Sequence, residues 1–139
     1  MTSSEPSRTY ARKVAIEWDT FGPQHVDRMN DVVRVFPNVV AVELFAQSDQ
    51  YAWSWHPERS YEHITFRKAR TSPLRDGVMV IRRLIGLRFS RGIDVWLLCN
   101  YERLYIFITA WLLRLSGARV YIMQDSKFVD RPRGAWREA

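Results

Sequence analysis

The chain has 139 residues, enough for one domain with a real core and too few for two. A hydrophobic fraction of 47% and six tryptophans argue for a packed globular fold and against a disordered segment. The net charge of +6 suits anionic partners, but the basic residues are scattered and no lysine-rich tract or nucleic-acid motif is present, so nucleic acid is not expected as a partner.

Residues 1–12 read as a flexible lead-in, small and polar from Met1 to Ser7, without a charged-then-apolar signal pattern. Val14 to Trp18 is the first strand, an apolar run of the kind covered by helices on both faces. A turn through Thr20-Phe21-Gly22-Pro23 follows, with Pro23 suited to a first helical turn. Gln24 to Phe36 is a helix whose apolar stripe is Val26, Met29, Val33 and Phe36; Pro37-Asn38 stops it. Asn38 to Phe45, rich in β-branched residues, is the second strand.

Ala46 to Ser60 is irregular and holds Tyr51, Trp53, Trp55 and His56, aromatics that can stack on a sugar or base or can plug the core edge. His63 to Phe66 is a short third strand, and Lys68 to Pro73 a basic link. Leu74 to Arg91 is a helix with Val78, Ile81, Leu84, Ile85 and Phe89 on its apolar side and Arg82, Arg83, Arg88 and Arg91 making it basic; Gly92 ends it. Asp94 to Asn100 is the fourth strand, with Cys99 read as a core thiol. Tyr101 to Ser116 is a helix apolar on nearly every side, expected to be buried on more than one face, with Gly117 at its end. Its apolar run, Leu104 to Leu113, is about half of the ~20 residues a bilayer span needs. Arg119 to Met123 is the fifth strand, followed by a polar loop to Arg133 and a tail over residues 134–139.

The order β-α-β-β-α-β-α-β predicts an α/β fold with a three-layer, Rossmann-like, mainly parallel sheet. Right-handed crossovers would bring the loops Asp19 to His25, Asn100 to Arg103 and Asp125 to Arg133 to one rim. In such folds ligands collect outside the carboxyl ends of the strands.

The rim lacks a G-x-G-x-x-G fingerprint and a P-loop, and there is no G-x-S-x-G elbow. With one cysteine and no H-x-x-x-H pair, neither an internal disulfide nor a zinc site is expected; the single thiol suits a reducing, cytoplasmic setting. Gly22 before a helix start is compatible with a bound phosphate. His25 can donate to that phosphate or carry a proton, or it can merely cap the turn; pattern leaves both open. Asn100, Asp125, Ser126 and Lys127 can bind hydroxyls and an anion, or can satisfy their own turns.

Asp19-Thr-Phe-Gly-Pro-Gln-His25 after a strand and before an amphipathic helix resembles the start of retaining glycosyltransferases of the group 1, or family 4-like, kind. Tyr51-Ala-Trp53, Thr65-Phe-Arg-Lys68, Gly92-Ile-Asp-Val-Trp-Leu-Leu-Cys-Asn-Tyr101 and Met123-Gln-Asp-Ser-Lys-Phe-Val-Asp-Arg-Pro-Arg133 agree in order and spacing. The similarity spans Val14 to Arg133 and the N-terminal half of that family's fold. It departs in having Gly-Pro where many members have paired glycines, and a second domain does not fit in the length.

The resemblance implies one half of a two-domain glycosyltransferase B-type fold, residues 13–133 being the acceptor-side domain. It implies a nucleotide-sugar donor and a glycan or lipid-linked acceptor. Gly22 would face the donor diphosphate, His25 would be the catalytic histidine, and Asn100, Asp125 and Ser126 would face the cleft. No metal or other cofactor is expected, and the isolated chain should be inactive or weakly active. Two readings from other classes stand beside it: a stand-alone α/β binding module without chemistry, and peripheral membrane contact through Arg82, Arg83, Arg88 and Arg91.

Overall fold

The computed structural model describes residues 12–47 and 58–123. The elements follow in the order β1 (Lys13–Trp18), α1 (Pro23–Val35), β2 (Val39–Phe45), β3 (Glu62–Arg67), α2 (Pro73–Ser90), β4 (Ile93–Leu98), α3 (Leu104–Leu115) and β5 (Arg119–Ile122). Every predicted element is present. The largest boundary difference is at α3, which starts three residues later than expected because the chain after β4 first makes a turn.

The strands form one sheet in the order β3-β2-β1-β4-β5, and all four ladders are parallel. Parallel strands need crossovers, and each helix is one. β1 lies at the centre, with Ile16 opposite Ala41 on β2 and Leu97 on β4. Side chains alternate between two apolar layers, as strand geometry requires. On one face Val26 and Met29 of α1 pack with Ile16, Val39 and Ala41. On the other, Val80 and Leu84 of α2 and Ile106, Ala110 and Leu113 of α3 pack with Ala15, Val40, Val42, Leu44, Trp96 and Leu98. All seven residues of β2 are buried, which explains its continuous apolar sequence. Trp96, the largest fully buried side chain, donates its indole N–H to the Ile93 carbonyl at 3.2 Å, so its burial leaves no orphan donor.

Two glycines end helices as expected. Gly92 (φ 62°) and Gly117 (φ 84°) adopt the left-handed conformation just past α2 and α3. At the other end of α2, Ser72 is the N-cap, accepting the Arg75 N–H, and Pro73 fills the first helical position.

Three expectations need correction. The inward face of α2 is Asp76, Gly77, Val80 and Leu84, whereas Val78 and Phe89 are exposed. Gly77 lets α3 approach: a Cβ there would meet the Tyr105 Cβ at 3.3 Å. The basic side of α2 is largely engaged within the molecule. Arg83 donates to the Phe66 carbonyl at 2.7 Å, Arg88 to Asp94 at 3.2 Å, and Arg91 pairs with Glu62. Finally, α3 buries one face and packs a flank on α2, but Leu104, Phe107, Ile108, Trp111, Leu112 and Leu115 are exposed. Among the described residues, no helix is long and apolar enough to cross a membrane.

Candidate ligand site at the strand switch point

The chain runs outward from β1 through β2 to β3, then returns to place β4 against the other side of β1. The order reverses between β1 and β4, and the crevice outside their carboxyl ends is where open α/β sheets bind ligands. The loop after β1 and the turn after β4 flank it.

The loop after β1 is tied to the end of β2 at two points. Phe45 N–H donates to the Asp19 carbonyl at 2.8 Å, and Phe21 N–H donates to Glu43 Oε1 at 2.9 Å. Glu43 is buried. Its Oε2 accepts the Thr65 hydroxyl at 2.8 Å and meets His63 Nε2 at 3.1 Å. Burial pushes the Glu43 carboxyl up, but the bonds from His63, Phe21 N–H and Thr65 together outweigh it and leave it below its ordinary value. His63 Nε2 therefore donates to a carboxylate, while its Nδ1 is buried without a partner. Beside it Tyr61 is also buried, and desolvation pushes its hydroxyl up to about 12.

Gly22 and His25 close on one another. Gly22 N–H donates to His25 Nδ1 at 3.1 Å, and the Gly22 carbonyl accepts from the N–H groups of His25 (3.0 Å) and Val26 (3.3 Å). This is a reciprocal cap at the start of α1. It fixes the neutral imidazole with Nδ1 as acceptor and the proton on Nε2. The ring lies 5.0 Å from that of Trp18 and 5.8 Å from that of Phe21, so aromatic packing orients it. Gly22 and His25 N–H are both engaged, and Pro23 has none to offer.

On the opposite face of the sheet, Glu17 of β1 is fully buried between β1 and β4. Its Oε2 accepts Cys99 N–H at 2.9 Å, and Oε1 has no partner. Burial pushes its carboxyl well above the ordinary value; Asp19 and Glu102 push the same way, and the Cys99 N–H opposes them. Burial thus favours the neutral form of Glu17, and Cys99, buried beside it, is a core thiol as expected. Asn100 follows in the left-handed region (φ 58°), the sole non-glycine to do so among the described residues. Its carbonyl accepts Arg103 N–H at 2.9 Å, closing the turn into α3.

Arg70, in the link before α2, pairs with Asp19 and stacks 4.5 Å over the Phe45 ring. The link is anchored by Asp76, which accepts from Thr71 N–H (2.9 Å), the Thr71 hydroxyl (2.8 Å) and Arg67 (3.0 Å). Beside Arg70 a groove of about 840 Å³ opens between the starts of α2 and α3, lined by Ser72, Leu74, Val78, Tyr105 and Ile108 among others. It joins the rim to the outer side of the helix layer.

Of the residues expected at the site, Gly22, His25 and Asn100 come to this rim. Asp125, Ser126 and Lys127 lie outside the described residues, as do Tyr51, Trp53, Trp55 and His56. Sequence reading passed over Glu17, Glu43, His63 and Arg70. The signal for the first two was present: one acid near the carboxyl end of each of two otherwise apolar strands, where a lone charge is not expected unless it is paired or neutralised. Among the described residues, no group of three or more His, Cys, Asp or Glu side chains is arranged to hold a metal ion. No protein-family model matches the chain, and no curated protein matches it significantly. The fold itself is a small Rossmann-like α/β domain.

Proposed function

We propose that this chain is the acceptor-side domain of a retaining, nucleotide-sugar-dependent glycosyltransferase of the group 1 type. The observation that carries the reading is the convergence at the β1/β4 switch point of the Asp19–His25 loop, which β2 ties in place, and the left-handed Asn100. The family resemblance supplies the chemistry. Gly22 is assigned to the donor diphosphate by that resemblance. His25, whose Nδ1 accepts the Gly22 N–H, is assigned by the resemblance to the catalytic role. Asn100 offers a carboxamide to a ligand hydroxyl. Asp125, Ser126 and Lys127, on the segment after β5, are assigned to hydroxyl and anion contacts by the resemblance alone. The nucleotide would be held by a second α/β domain across the cleft.

The test is binding, followed by amide chemical shifts, with UDP-glucose, GDP-mannose and free UDP as probes. Perturbations confined to residues 19–25, 100–103 and 125–127 support the reading. Because the second domain holds the nucleotide, the shifts should be weak and need the probes in large excess; saturation elsewhere, or no response to any of the three even then, overturns it. Robust sugar transfer by the isolated chain would contradict its being a half-site.

One observation favours a second reading, a binding module without chemistry. The His25 imidazole already has a structural duty, capping Gly22 N–H. Under that reading a stable complex or self-association replaces nucleotide-sugar affinity, which light scattering would reveal as a mass well above the monomer.

A further inference from the structure

We infer that the outer face of the α2/α3 layer docks on an anionic lipid bilayer. The apolar part of this face is unusually open. Leu104 is 71% exposed, Phe107 54%, Trp111 58% and Leu115 79%, with Ile108 and Leu112 between them. These six fall at spacings of three and four, one stripe along α3, while Ile106, Ala110 and Leu113 face the core. Leu74 and Val78 of α2 extend the patch across the groove. Contiguous apolar surface of this kind marks a contact site.

Charge identifies the occupant. Arg103 and Arg114 bracket α3, Arg75 and Arg82 lie on α2, and Arg119 starts β5; all five are exposed. None of them forms a salt bridge among the described residues. The acids nearby do little to offset them. Asp76 is buried and bound to Thr71 and Arg67, which leaves Glu102 as the exposed carboxylate at the start of α3. A second copy seated face to face would bring these arginines together without acids to pair them, at a cost. An anionic bilayer supplies the missing charge and accepts Trp and Phe at its interface. A helix of 12 residues is about 18 Å long against a hydrocarbon core of ~30 Å, so α3 lies in the interface and does not span it. This surface is on the helix layer and the candidate site on the carboxyl rim, so either assignment can fail without the other.

The experiment is co-sedimentation of the full chain with vesicles of equal parts phosphatidylcholine and phosphatidylglycerol, beside phosphatidylcholine alone, at low and high salt. Binding to the mixed vesicles that weakens with salt is expected. Phe107→Ser with Trp111→Ser should lower it at least about tenfold. Arg103→Gln and Arg114→Gln should each lower it about fivefold. Hydroxyl-radical footprinting of the unaltered protein gives a readout that needs no variant: vesicles should shield Phe107 and Trp111. No binding to the mixed vesicles, binding without shielding of these two residues, or a dimer in light scattering that the paired serine variant dissolves would each overturn the proposal.

Discussion

Glu43, near the end of β2, holds the backbone N–H of Phe21, 22 positions earlier in the chain, at 2.9 Å. The course of the loop that leads to Gly22 is therefore set by a side chain on the neighbouring strand. Glu43→Ala should leave the Phe21 N–H and the Thr65 hydroxyl without their partner and lower stability by about 2–4 kcal/mol. Glu43→Gln keeps an acceptor for Phe21 and should cost less. Urea unfolding ranks the two, and hydrogen exchange at Phe21 should accelerate locally in the alanine variant. A stability loss with no change at Phe21 would show that the tie does not hold the loop.

The buried acids give the stability a pH dependence of two signs. Glu43 and Asp76 both have lowered folded values. Their contribution is present above the unfolded carboxylate range, about pH 4, and is lost as pH falls through the folded values. Glu17 has a raised folded value, so its contribution is present below that range and is lost as pH rises through the folded value. Glu17→Gln should therefore be more stable than the wild type on the alkaline side and remove that part of the pH dependence, while the acid limb remains. Urea midpoints measured across pH check this; an unchanged alkaline side would place Glu17 outside the account.

Capping and chemistry can be separated at His25. Glutamine at the third helical position can accept the same N–H through its side chain, as in a capping box. His25→Gln should hold stability to within about 0.5 kcal/mol, whereas His25→Ala should lose about 1 kcal/mol. In an enzyme completed by its second domain, both should lose transfer activity if the imidazole acts on the sugar. Full activity in the glutamine variant would confine His25 to its cap.

Asn100 stands where most side chains are strained. Asn100→Gly should be near neutral in stability, and Asn100→Val should cost about 1–2 kcal/mol from the left-handed backbone. If Asn100 also binds ligand, the glycine variant should keep its thermal midpoint and lose affinity. Loss of both in the glycine variant would mean that the carboxamide serves the fold.

The sheet was legible because β-branched and apolar runs fall between glycine and proline punctuation, and those signals are local. The helix faces were less so. On α2 the apolar residues suggest a stripe through Val78 and Phe89, yet the packed face includes Asp76 and Gly77. Asp76 is inside because Thr71 and Arg67 meet it there, and Gly77 because Tyr105 needs the room; neither partner can be read from α2 alone. The same limit hid Glu43 and Glu17. Their partners, Phe21, Thr65, His63 and Cys99, lie on other elements. The rim positions of Gly22, His25 and Asn100 were legible because turn residues announce themselves by type, and the arginines of α2 misled because charge in a sequence does not disclose whether it is already spoken for.

The all-parallel sheet also governs the order in which the molecule can be made. With no hairpin among the described residues, each ladder joins strands separated by a helix or a long connection, and loop closure must precede any pairing. The contact that completes the centre, Cys99 N–H to Glu17, spans 82 positions. A chain emerging from the ribosome can build β1, α1, β2 and β3 early, but one side of β1 stays bare, with its acid open to water, until β4 arrives. The switch-point crevice is consequently among the last features to form, and until it does the half-built sheet presents an open central edge to any strand nearby.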